Sequence, residues 1–176
     1  RSFAEWDSHP QGQAVAKLPL FPIERIGDAP PMPLPAGGRP LSGIKALDLT
    51  RVIEGPVCGR TLASHGADVM LVTAAHLPNI ETLVIDNGRG KLSTSLDLRD
   101  AKARDTLAAL LRDADIFVQG YRPGAIAQYG FSPQEAARIR PGIVCVSLCA
   151  YGHEGPWASR RGFDSLVQNA NGLNRA

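Results

Sequence analysis

From Leu41 to Val72 the chain reads LSGIKALDLTRVIEGPVCGRTLASHGADVMLV, and one succession of elements fits it. Ile44 to Leu49 alternates apolar with other residues as a strand does, and Thr50-Arg51 fall where that strand ends. Gly55-Pro56 then opens a helix, because proline in a first turn lacks only an N–H that would have no partner there. Gly66 stands where a glycine stops a helix, and Asp68 to Thr73 is a second strand. Two strands joined by a helix form a right-handed parallel unit, and ligands of such sheets gather beyond the carboxyl ends of the strands. The first candidate site is therefore Thr50 to Pro56.

The pattern continues through the rest of the chain. Leu83 to Asp86 reads as a brief strand closed by an Asn87-Gly88 turn, and Thr94 to Leu98 as another strand. Asp100 caps a helix from Ala101 to Arg112, in which Ala103, Leu107, Leu110 and Leu111 recur at helical spacing. Asp115 to Gln119 is short and apolar enough to be a central strand, and the turn Tyr121 to Gly124 follows it. A short helix from Ala125 to Tyr129 ends at Gly130. Ser132, with Glu135 three residues later, starts another that ends near Pro141. Ile143 to Leu148 is the last strand, and a glycine-rich loop, Tyr151 to Trp157, leads to a helix beginning near Ser165, with Asp164 as its cap. This alternation predicts an α/β fold with a Rossmann-like, doubly wound, mainly parallel sheet.

Residues 1–40 have another character. A short helix fits within Ser2 to Ala16, and seven prolines between Pro19 and Pro40 then favour an extended arm or linker, with one short strand at Ile23 to Ile26. The chain opens at Arg1 and breaks off at Ala176, in the middle of what reads as a continuing domain. It is expected to be a piece of a longer protein.

With 176 residues and 44% apolar content the chain can bury a core of its own. A net charge of +2 is too small to point to nucleic acid. No apolar run approaches the roughly 20 residues that cross a bilayer, and a cytoplasmic protein is expected. Cys58, Cys145 and Cys149 form no disulfide framework and no CxxC motif, and read as small buried residues. His65, His76 and His153 are isolated from one another, so no metal is expected. Asp48 reads as structural, and Arg89, Lys91 and Arg99, taken singly, as solvated surface charges.

Three segments lie at predicted strand ends: Thr50 to Glu54, Gln119 to Gly124, and Tyr151 to Asp164. Their convergence would form a crevice with Arg51, Tyr121, Arg122 and Arg161 on its walls and few carboxylates. That is a setting for an anionic ligand, which arginine and helix starts both favour.

The blocks PLSGIKALDLTRVIEGP, GADVMLV, RGKLSTSLDLR, ADIFVQGYRPGAIAQYGF and RPGIVCVSLCAYGHEGPWASRRGFDSLVQNANG resemble the class III CoA-transferases. That family includes formyl-CoA transferase, carnitine CoA-transferase and the related α-methylacyl-CoA racemases. The resemblance implies a Rossmann-like large domain, of which residues 41–176 are the N-terminal portion, in an interlocked homodimer. It implies acyl-CoA and a carboxylic acid as partners, and CoA moved between acids through an aspartyl-CoA thioester. The nucleophilic aspartate is expected beyond Ala176, so that no catalytic residue lies in this chain and the chain alone is inactive.

By resemblance, the positions matching the family's CoA contacts are Arg51, Val52, Glu54, Leu96, Arg99, Gly120, Tyr121, Gln128, Tyr129, Arg161, Gly162 and Phe163. The chain departs from the family at Thr73-Ala74, where many members have glutamate followed by proline or arginine, and at Gly120, where many have asparagine. The racemases carry histidine where this chain has Phe163, and a side chain without a titratable proton cannot move an α-proton. A transferase is therefore expected; the alternatives are a racemase-like enzyme and a non-catalytic CoA-binding or assembly module.

Overall fold

In the computed structural model, which describes residues 1–175, the chain begins with helices α1 (Phe3–Asp7) and α2 (Pro10–Val15). No helix or strand occurs between Ala16 and Ile44. Five strands and five more helices then alternate: β1 (Lys45–Leu49), α3 (Glu54–Ser64), β2 (Asp68–Thr73), α4 (Glu81–Asn87), β3 (Lys91–Ser95), α5 (Ala101–Arg112), β4 (Ile116–Gln119), α6 (Pro133–Ile139), β5 (Val144–Ser147) and α7 (Asp164–Asn171). The strands form one sheet in the order β3-β2-β1-β4-β5, parallel throughout. The order reverses between β1 and β4, which makes the sheet doubly wound.

Two compact units divide the chain: residues 26–120 with 127–148, and residues 1–25 with 121–126 and the stretch from Cys149 onward. The first holds the sheet. Its core is set by Leu47, Val69, Phe117 and Val118 on the central strands and by Leu107 and Leu111, both fully buried, on α5. The helical spacing of those two leucines with Ala103 puts one apolar stripe of α5 on the sheet.

In the second unit Gln11 is fully buried. Its amide Nε2 donates to the carbonyls of Tyr151 and Glu154, each at 2.7 Å, and its Oε1 accepts from the Trp157 N–H at 2.6 Å. Trp157 packs against Trp6, His9 and Tyr151, with the Arg160 guanidinium 4.3 Å above its ring. One glutamine thus closes the backbone of a glycine-rich loop that has no ladder of its own.

The local signals at helix ends hold. Gly66 and Gly130 have φ of +102° and +86°, and Ser132 and Glu135 form the reciprocal capping box. Several expectations fail. Leu83 to Asp86 lies within α4, not in a strand: β2 and β3 are parallel neighbours, so the chain between them must cross back rather than turn at Asn87-Gly88. The third strand accordingly starts earlier, at Lys91, with Val69 opposite Lys91 and Thr73 opposite Ser95. Ile23 to Ile26 forms no strand, and Ile23 is 94% exposed. Asp164 is the first residue of α7 rather than its cap, and Phe163 holds the cap position without a side-chain bond.

Lys91 is not a surface charge either. Its side chain is 1% exposed, and its Nζ donates to Asp48 Oδ2 at 2.8 Å and to the Pro56 carbonyl at 2.7 Å. The other carboxylate oxygen of Asp48 accepts from the N–H and hydroxyl of Thr50. α3 lies directly over this pair: a Cβ on Gly59 would fall 2.3 Å from Asp48 Oδ2, and one on Gly55 2.3 Å from Thr50 Cβ. Removing one partner leaves a dry, uncompensated charge. Asp48→Ala is expected to cost about 3–5 kcal/mol in urea unfolding, and Asp48→Leu combined with Lys91→Met distinctly less, since that double change leaves no orphan.

Candidate functional site

The carboxyl ends of β1, β2 and β3 surround a cavity of about 310 Å³, at the lower end of the range for small-molecule sites. One wall is Thr50, Arg51 and Val52, just after β1; the floor is Leu71 and Thr73 of β2 with Lys91, Ser93 and Ser95 of β3. The loop from Ala74 to Ile80 and the inner face of α4, Leu83, Val84 and Asn87, close the other side. The cavity exists because a parallel strand pair needs a crossover, and this one is a short loop and a helix of two turns standing off the sheet.

Val52 has φ of +76°, the one non-glycine residue with positive φ among the described residues. A β-branched side chain is strained there by roughly 1–3 kcal/mol. Two contacts hold the turn: Asn87 Nδ2 donates to the Val52 carbonyl at 3.2 Å, and the Arg51 guanidinium donates to the Pro78 carbonyl at 3.3 Å. Arg51 itself is exposed, with its charge open to solvent.

The expected contact positions divide between the units. Arg51, Val52, Glu54, Leu96, Arg99, Gly120, Gln128 and Tyr129 belong to the sheet unit, and Tyr121, Arg161, Gly162 and Phe163 to the other. Arg51 and Val52 line the cavity; Glu54, exposed, is the first residue of α3. Leu96 extends the β3 ladder by one bond, its N–H to the Thr73 carbonyl at 2.7 Å. Arg99 grips Asp97 through Nε at 2.9 and 3.0 Å, and holds that carboxyl well below the usual carboxylate range. The same bond raises the Arg99 pKa, and the Tyr129 phenol lies close enough to add to the effect. Gln128 is exposed beside Tyr129 in a short 3₁₀ turn, Ala127–Tyr129.

Gly120 is exposed, and a Cβ there would sit 3.7 Å from Thr50 Cγ2, an ordinary contact. The position would accept asparagine. Gly162 would not accept a side chain without a shift, since its Cβ would fall 2.5 Å from Ala150 Cβ and 2.9 Å from the Tyr151 ring. Arg161 is exposed and Phe163 is 54% exposed.

Cys58 lies in α3, yet burial, and then the Asp48 carboxylate, push its thiol up rather than activating it. Burial likewise holds Cys145 at about 11. Among the described residues no group of three His, Cys, Asp or Glu is placed to hold a metal. Sequence reasoning missed Asn87, read as half of a turn, and the cavity loop 74–80. The signal that could have found them was topological: a parallel β2–β3 pair demands that this stretch run along the sheet.

The model of CoA-transferase family III matches residues 41–176. The chain belongs to that family. It is 34% identical, over 98% of its length, to the acetyl-coenzyme A transferase nodX of Hypoxylon pulicicidum, of which the match covers 31%. It is 31% identical, over 77% of its length, to human succinyl-CoA:glutarate CoA-transferase, of which the match covers 34%. The crystal structure of Rv3272 from Mycobacterium tuberculosis superimposes with a TM-score of 0.71 at 31% identity, over 77% of this chain and 41% of that one. This member of family III thus spans about a third of the length of the curated relatives it matches.

Two outcomes are expected. Val52→Gly relieves the strained φ and is expected to raise the unfolding free energy by up to about 1 kcal/mol, read from urea melts. Asp97 has a depressed folded-state pKa, so its pairing with Arg99 contributes fully above the unfolded carboxyl value of about 3.9 and is lost as pH falls through the lower, folded value. Arg99→Ala is expected to move the Asp97 titration, followed by carboxyl ¹³C NMR, back up toward the ordinary range.

Proposed function

We propose that the protein containing this chain transfers CoA from an acyl-CoA to a carboxylic acid, and that this chain supplies part of the CoA site. The observation that carries the reading is the family match over residues 41–176, with CoA-transferases as relatives. The geometry is compatible with it. Arg51 offers a solvent-open guanidinium at the end of β1, beside the cavity, where an anionic phosphate would find it. In the reaction read here, an aspartate carboxylate beyond Ala176 attacks the acyl-CoA carbonyl and expels the CoA thiolate, leaving a mixed anhydride. The thiolate then attacks the aspartyl carbonyl and releases the donor acid, which gives the aspartyl-CoA thioester from which CoA passes to the acceptor.

The same reading takes Leu96, Arg99, Gly120, Tyr121, Gln128, Tyr129, Arg161, Gly162 and Phe163, with Val52 and Glu54, as further CoA contacts. It takes residues 1–40 as an arm or linker and the intact protein as a cytoplasmic homodimer. Transfer rather than racemisation follows from Phe163, which has no proton to exchange.

The test is an assay of the intact protein with an acyl-CoA and a second carboxylic acid, with product CoA thioesters separated by mass. Transfer is expected, and Arg51→Ala is expected to raise KM for acyl-CoA about tenfold with a smaller effect on kcat, as for a lost charge-assisted bond to a phosphate. Exchange of the α-proton with D₂O in the absence of any transfer overturns the reading. So does transfer by the 176 residues alone, which would put the nucleophile inside this chain.

A further inference from the structure

Gln11 stands on α2, before the stretch that the family model matches, yet its side chain bonds to the loop that leaves β5. Nε2 donates to the Tyr151 and Glu154 carbonyls, and Oε1 accepts from the Trp157 N–H. A primary amide suits that set, since one arm gives two donors and the other an acceptor. Shape agrees with polarity. Gly152 and Gly155 both have φ of +87°. A Cβ on Gly155 would fall 2.6 Å from Gln11 Oε1 and 2.7 Å from Ala14 Cβ, and one on Gly152 2.9 Å from Val15 Cγ1. The loop lies flush on α2, and its two left-handed turns leave no room for side chains there.

Both ends of the held loop lead to Arg161, Gly162 and Phe163. At one end the Trp157 carbonyl accepts from the Arg160 N–H at 2.8 Å, and the Arg160 guanidinium lies 4.3 Å over the Trp157 ring. Fixing Trp157 thus fixes the residue before Arg161. At the other end the Tyr151 ring stands against Gly162, where a Cβ would fall 2.9 Å from it. We infer that Gln11 is a positioning residue: by holding Tyr151 to Trp157 it sets where the Arg161 guanidinium and the Phe163 ring stand. Resting on the CoA-transferase reading, which takes those two residues as CoA contacts, α2 orders that part of the site before the ligand arrives. Acyl-CoA is then bound more tightly because less ordering remains to be done on binding.

The test is made on the intact protein with Gln11→Met, which keeps the volume and removes the three bonds. Amide hydrogen exchange over residues 157–162 is expected to quicken about tenfold or more. The Kd for CoA, by calorimetry, and the KM for acyl-CoA are expected to rise about tenfold, the scale of ordering one or two side chains on binding, with kcat within about twofold. A merely structural role would lower the folded fraction, and with it the apparent kcat, and leave Kd and KM where they were. Gln11→Glu sets a carboxylate oxygen against the two carbonyls, while its protonated form, which burial favours, restores one donor. Its Kd relative to the unmodified protein is expected to improve between about pH 8 and about pH 5, whereas that of Gln11→Met stays flat. Unchanged CoA affinity in Gln11→Met, unchanged exchange at 157–162, or a flat pH profile for Gln11→Glu overturns the inference and leaves the transfer reading standing. Quickened exchange in Gln11→Met, where the unmodified protein binds no CoA, overturns the transfer reading and leaves the hold of Gln11 on the loop standing.

Discussion

The sheet unit depends on one buried ion pair. Asp48 and Lys91 stand on β1 and β3, separated by β2, and meet on the face covered by α3. Neither charge could be taken out of water alone; together, with the Thr50 N–H, the Thr50 hydroxyl and the Pro56 carbonyl, they use most of each other's hydrogen-bonding capacity. The consequences spread from there. Helix α3 must approach closely, which demands Gly55 and Gly59. The Thr50 hydroxyl is drawn back onto Asp48, so the chain leaves β1 in a tight turn, and that turn presents Arg51 and Val52. The fully buried pair also fixes the register of strands one apart in the sheet, because a slip of β3 by one residue would point Lys91 to the other face.

How much of this was legible in the sequence depends on whether the cause was local. The β1–α3–β2 unit was read from Leu41 to Val72 because its signals are local: alternation, a first-turn proline and a stopping glycine. The capping box at Ser132 was legible for the same reason. Leu83 to Asp86 was not. Four apolar and acidic residues before Asn-Gly suit a hairpin strand by every local rule, and only the parallel pairing of β2 with β3 makes them a helix. Lys91 was misread for a related reason, since its partner lies 43 positions away and nothing near it in sequence signals burial. Family resemblance supplied expected contact positions, but the cavity it did not supply, because the cavity is made by the crossover and not by a motif.

The N-terminal segment shows the converse. The proline-dense stretch from Pro19 to Pro40 holds no helix or strand, yet the segment before it is ordered around Gln11. The match to nodX covers 98% of the chain, whereas the family model begins at residue 41. The similarity to that relative therefore extends over residues before position 41. A buried glutamine that satisfies three backbone groups of a distant loop is a physical reason for such a segment to persist, since losing it would orphan two carbonyls and an N–H in part-buried surroundings.

Strain and unsatisfied polarity meet at one residue pair. Val52 is held at a positive φ that valine resists, and the restraint is a hydrogen bond from Asn87, whose own acceptor is buried without a partner among the described residues. Each defect by itself would be removed by a single change, glycine at position 52 or an apolar residue at 87. Their coupling means that relieving either alters the other: glycine would loosen the turn that orients the amide, and an apolar residue would free the strained carbonyl.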